Sequence, residues 1–136
     1  MAQLFDVRAM IEVGAAERFA ELASEAELVS LGLQLDALVS AHAQGDGLAA
    51  ADADWAFHDI ILQGCRNPFL LATMQPLGRA LREARRATSN LPVMREHAIT
   101  EHGRILEALR AGDRAAARAA MRSHMRQTQR DSERYF

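Results

Sequence analysis

Apolar residues recur every three or four positions along almost the whole chain, the rhythm of helices that bury one face. No stretch alternates residue by residue as a half-buried strand would. From about Gln3 to Leu22 the stripe is Leu4, Val7, Met10, Ile11, Val13, Ala16 and Ala20. Ser24-Glu25-Ala26-Glu27 then has the form of a capping box, a hydroxyl at the cap and a carboxylate three residues on. The helix it opens carries Leu28, Leu31, Leu35, Leu38 and Val39 to about Ala43, where Gly45-Asp46-Gly47 ends it. A third helix is expected from Leu48 to Cys65, followed by Arg66-Asn67-Pro68, with Pro68 suited to the first turn of a fourth. That fourth helix extends from about Phe69 to Thr88, with Leu70, Met74, Leu77, Leu81 and Ala84 on one side and Pro76 predicting a kink.

Ser89-Asn90-Leu91-Pro92 reads as a loop before a fifth helix from Val93 to Leu109. Ala111-Gly112-Asp113 closes it: Gly112 can take the left-handed cap, and Asp113 can cap a last helix from Arg114 towards Arg130, fraying beyond. The pattern predicts an all-α antiparallel bundle of about six helices.

At 136 residues this is a single domain with room for a real core. Hydrophobic residues make up 49% and aromatic residues only 5%, with alanine heavily used, which favours helix over strand. All sixteen basic residues are arginine, and the net charge of −2 argues against the chain wrapping nucleic acid by itself. One cysteine, Cys65, excludes an internal disulfide and fits a reducing cytoplasm, where it reads as a small buried apolar residue. No apolar run reaches the roughly 18 residues that span a bilayer, and no charged-then-apolar leader opens the chain.

Candidate chemistry is concentrated in four residues. Asp54 and His58 stand one helical turn apart on a face shared with Ile61 and Cys65, so both project inward. His102 and His124 lie at similar distances on either side of the turn at Gly112, on stripes with Ile99, Ile105 and Leu109, and with Ala117, Met121 and Thr128. An antiparallel hairpin brings them to the same level. Each histidine alone is an ordinary core residue with a hydrogen-bond partner. Together, three inward imidazoles and one inward carboxylate would otherwise need separate partners, or they share a divalent transition metal. His42, near a helix end, and His97, turned away from His102, fall outside this set. The arginines at 114, 118, 122, 126, 130 and 134 wind around their helix, a drift of about 40° per step, and read as a solvated face. Asn67 reads as a turn residue.

The order Asp54-x-x-Phe57-His58, Asn67-Pro68, Glu101-His102-x-x-Ile105-x-x-Ala108-Leu109-x-x-Gly112-Asp113 and Met121-x-x-His124-Met125 resembles the FCD domain. This is the C-terminal effector-binding domain of the FadR subgroup of GntR-type transcription regulators. Phe5-Asp6-Val7-Arg8-x-x-Ile11-Glu12 is similar to that domain's first helix. The resemblance covers residues from about 4 to 128 and implies an antiparallel bundle of six to seven helices. It implies metal ligation by Asp54, His58, His102 and His124, with zinc or nickel, sometimes manganese, and a small carboxylate in the open positions. It also implies a homodimer, in the cytoplasm, whose operator is read by an N-terminal winged helix-turn-helix. The expectation is that residues 1–136 are one FCD-like domain without that DNA-binding domain, so that DNA is reached only through it.

Three neutral imidazoles and a carboxylate leave a divalent ion with a net charge of about +1 and, in an octahedral shell, two adjacent positions for a bidentate ligand. A borderline ion such as zinc or nickel suits this nitrogen-rich set better than magnesium. Binding should weaken below about pH 6 as the histidines protonate. A carboxylate effector also asks for an arginine. Arg8, on a mostly buried face and matching the arginine of the family's first-helix motif, is one candidate, with an ion pair to Glu12 as its other reading. Arg82 is a second; Arg79, Arg85 and Arg86 read as solvated. The leading function is thus a non-enzymatic sensing domain. The alternative is a metalloenzyme hydrolysing or oxidising a small organic acid, for which Glu12 is a candidate acid or base outside the ligand set.

Overall fold

The structure, a computed structural model, describes residues 2–88 and 91–135. Among the described residues six helices follow one another: α1 (Ala2–Leu22), α2 (Glu25–Ala43), α3 (Gly47–Gly64), α4 (Pro68–Thr88), α5 (Pro92–Arg110) and α6 (Arg114–Tyr135). Among the described residues there is no strand, and the architecture is the all-α bundle that the periodicity predicts.

The helix ends follow local chemistry. Ser24 and Glu27 form the reciprocal capping box, each side chain accepting from the other's backbone N–H, at 3.1 and 2.9 Å. Gly45 takes a positive φ of 69° at the end of α2, and Asp46 then caps α3 by accepting from Ala49 N at 3.0 Å. Gly112, at φ 65°, makes the corresponding reversal between α5 and α6, and Asp113 accepts from Ala116 N at 3.0 Å. Asn67 Oδ1 accepts from Phe69 N at 3.1 Å, a turn role.

Three expectations need correction or limits. α6 runs past Arg130 to Tyr135. α4 runs on through Pro76, which lies on its exposed side with Ala72, the residue whose carbonyl loses its backbone donor; Pro76 therefore does not end the helix. Of the expected loop, Ser89 and Asn90 lie outside the described residues, while Leu91 is the N-cap and Pro92 the first residue of α5.

α1 packs along α6, α6 along α5, and α2 along α3, while α5 also touches α2 and α1. α4 packs chiefly against α3. The main core gathers Phe19, Leu31, Phe57, Ile61, Leu62, Met74, Ile105, Leu109 and Met121, and a smaller cluster of Leu38, Ala41, Ala50 and Ala53 joins α2 to α3. Two close approaches depend on glycine. A Cβ at Gly64 would enter the Phe19 ring, and one at Gly78 would come 2.8 Å from the Trp55 ring, so Gly78 sets how closely α4 lies on α3.

Candidate metal centre

The four inward residues singled out above meet in the middle of the bundle. Asp54 and His58 descend from α3, His102 from α5 and His124 from α6, and each is buried, none more than 5% exposed. One ligand atom from each lies within 4.8 Å of those of the other three. Asp54 Oδ1 is 2.7 Å from His102 Nε2 and 3.3 Å from His58 Nε2, and His58 Nε2 is 3.2 Å from His124 Nε2. The His58 and His124 rings stack with centroids 5.2 Å apart, and His102 meets His124 edge-on at 4.6 Å. Phe57 closes one side, its ring 4.8 Å from that of His102.

Hydrogen-bond accounting tests whether a cation suits this cradle. His102 Nδ1 donates to Ala98 O at 2.7 Å, which leaves Nε2 without a proton in the neutral ring. Yet Nε2 faces Asp54 Oδ1, also an acceptor. Two acceptors require either an imidazolium or a cation in place of the second proton. Burial pushes the His102 imidazole towards the neutral form and outweighs the pull of Asp54. His124 is held well below the usual imidazole range by burial and by the neighbouring His102 and His58. Neutral nitrogens around an ionised carboxylate are the donors a transition metal takes, so the residues present fit such an ion.

The surroundings hold these donors in place. Glu12 on α1 sets Oε1 against His58 Nδ1 and Oε2 against Arg8 Nε, all three being buried. Burial opposes ionisation of Glu12, but Arg8 and His58 outweigh it and bring its carboxyl down to about 2. A carboxylate behind a ligating imidazole fixes its tautomer and raises its basicity. For His58, burial lowers the pKa, but Glu12 more than restores it and the net direction is upward. Asp54 is held well below the usual carboxylate range: burial opposes this and is outweighed, first by Arg85 and then by His102.

The two arginines proposed from sequence part company. Arg8 is buried and paired with Glu12. Arg82 is exposed, its guanidinium 5.6 Å from the centre of the Trp55 ring. Both line, with Asp54, Trp55, Leu81 and Arg85, a narrow cleft of about 20 Å³. Arg85, expected to be solvated, is instead the arginine on the cradle: its side chain is 10% exposed and its Nε lies 2.8 Å from Asp54 Oδ2. The later arginines of α6 are exposed as expected, with Arg118 paired to Glu17 at 3.1 Å. His97 pairs away from the cradle, Nδ1 lying 2.9 Å from Asp131 Oδ2. Cys65 is buried, its thiol facing Ala15 O at 3.1 Å and pushed up in pKa by burial, as suits a small core residue.

Fold and site together define the class: an all-helical domain that closes three imidazoles and one carboxylate around a single point, backed by an outer ring of acid and arginine. The chain belongs to the FCD domain family, whose family model matches residues 3–127. It is 32% identical over 118 residues to the HTH-type transcriptional regulator LutR of Bacillus subtilis, covering 83% of this chain. The same match covers 53% of LutR, so the chain spans about half the length of that curated relative. Among solved structures, the fold is similar to E. coli McbR/YncC, with a TM-score of 0.88 at 20% identity over 99% of this chain and 68% of that one. It is also similar to Streptococcus agalactiae GntR, with a TM-score of 0.80 at 20% identity over 94% of this chain and 57% of that one. Among the described residues no helix is long and apolar enough to cross a membrane.

Proposed function

We propose that this chain is the metal-dependent, small-carboxylate-sensing regulatory domain of a bacterial GntR-type transcription regulator. The observation that carries the reading is His102, a buried imidazole placed between two acceptors, Ala98 O and Asp54 Oδ1, that a neutral ring cannot both satisfy. Asp54, His58, His102 and His124 would hold the ion, zinc or nickel, with manganese the further option. When bound, the ion supplies a Lewis-acidic centre with open positions for a carboxylate. Arg8, Arg82 and Arg85 line the cleft beside it and supply the cations that grip such a ligand.

A cleft of about 20 Å³ has room for about one water, so a carboxylate must displace side chains to enter it. Leu81, Arg82 and Arg85 all belong to α4, the helix packed chiefly on α3. Ligand binding therefore biases the position of α4, which is the differential contact that a switch requires. A homodimer in the cytoplasm would transmit the change, with DNA reached through a helix-turn-helix domain of the kind LutR's name describes. The enzymatic alternative is disfavoured by Glu12, which is pinned by Arg8 and His58 and too acidic to serve as a general base near neutrality.

The test is thermal unfolding of metal-free, zinc-loaded and nickel-loaded protein against a panel of small mono- and dicarboxylates. Stabilisation by carboxylate only when metal is present supports the reading. Equal effects with and without metal, or turnover of the panel, contradict it.

A further inference from the structure

His42 lies at the end of α2, 6% exposed, and its Nε2 is enclosed without a hydrogen-bond partner. A leucine would fill this space with no polar atom to bury, so an enclosed, unpaired nitrogen points to a partner that arrives with a ligand. Its electrostatic surroundings are those of the candidate metal centre. Arg85, Arg95, Asp54 and His102 all lie near enough to act on its charge, and Arg85 is the residue paired to Asp54 at 2.8 Å. Burial, with Arg85 and Arg95, brings the imidazole down to about 4, so His42 is neutral at pH 7 and the positive charge around it belongs to the guanidiniums. Such a setting suits an anion rather than a cation or an apolar group.

We propose that His42 is a specificity-determining residue that recognises the second carboxylate of a dicarboxylic effector, with Nε2–H donating to it beside Arg85 and Arg95. The inference rests on the effector reading above and sharpens it: one carboxylate at the metal, the other at His42. It also assigns a role to the end of α2, which contributes nothing to the metal cradle itself.

The experiment is calorimetric titration of the zinc-loaded chain with lactate and with malate, which differ by one carboxylate. Malate should bind the wild type about tenfold more tightly, the effect of one added charge-assisted hydrogen bond. His42→Leu should bring that ratio near one, and His42→Gln, which retains an N–H, should restore part of it. Zinc content and thermal unfolding identify a variant that has lost its fold. Independently of any variant, the ring 15N resonances of His42 in the wild type should move with malate and not with lactate. Equal binding of the two acids, a full malate preference in folded His42→Leu, or a His42 ring that ignores malate overturns the inference and leaves the metal reading standing. Binding of neither acid to zinc-loaded protein overturns both.

Discussion

Asp54 and His102 are 48 positions apart in the chain, yet Oδ1 of one stands 2.7 Å from Nε2 of the other in the centre of the bundle. The contact joins α3 to α5 through a buried acid and a ring already committed to Ala98 O. A divalent ion at this point would replace a proton that burial makes costly. Metal should therefore stabilise the folded chain, by about 2.7 kcal/mol at a free concentration 100 times the dissociation constant. Calorimetric melting over a zinc titration checks this, and a melting temperature that does not respond contradicts it.

Glu12 works on the site from behind. Replacing it by glutamine removes the charge that orients His58 and leaves Arg8 buried without its acid. Metal affinity should fall about 10- to 100-fold, as expected when the outer partner of a ligating histidine is lost. The metal-free protein should also lose about 3–5 kcal/mol from the broken buried pair. Competition with a zinc-binding dye and urea denaturation separate the two effects.

Acid should destabilise the metal-free protein in two stages. His42 goes from 6.5 in the unfolded chain to about 4 in the fold. The unfolded chain therefore takes the proton first, and stability falls as pH drops from 6.5 towards 4. The lowered values of His102 and His124 act in the same direction. His58 acts oppositely: its contribution is full below 6.5 and fades as pH rises through its raised folded value. Glu12, at about 2 against 4.5, contributes stability above 4.5 that is lost as pH falls towards 2. Each of the two large shifts corresponds to at most on the order of 3 kcal/mol. Melting temperatures measured from pH 7 to 3 should show both stages, and His42→Leu should reduce the upper one, leaving the part due to His102 and His124.

Gly78 provides a test of α4 away from the ligand atoms. A methyl group there meets the Trp55 ring at 2.8 Å and pushes α4, with Arg82 and Arg85, off α3. Gly78→Ala should cost about 1–3 kcal/mol by overpacking. It should change carboxylate binding while leaving Asp54, His58, His102 and His124 in place. Carboxylate affinity unchanged in a folded variant would separate α4 from sensing.

Much of this was legible in the sequence because helices announce themselves locally. The Ser24–Glu27 box, Asp46, Gly112 and Asp113 fix helix ends within a few residues of where they fall. Asp54 and His58 share a face through the helical repeat, and the Gly112 reversal sets His102 level with His124, so their convergence follows from short-range geometry. Arg85 and His42 were not legible. Whether a polar residue near a helix end is solvated depends on which neighbouring helix covers that end, and periodicity within one helix carries no such information.

The most direct measurement is elemental analysis of the purified protein and of the His102→Ala, His124→Ala double variant, before and after reconstitution with zinc, nickel or manganese. About one transition metal per chain is expected in the wild type, as a four-donor site holds a single ion, and none retained by the folded double variant. Wild-type protein that holds no metal after reconstitution, or a double variant that holds as much, would contradict that.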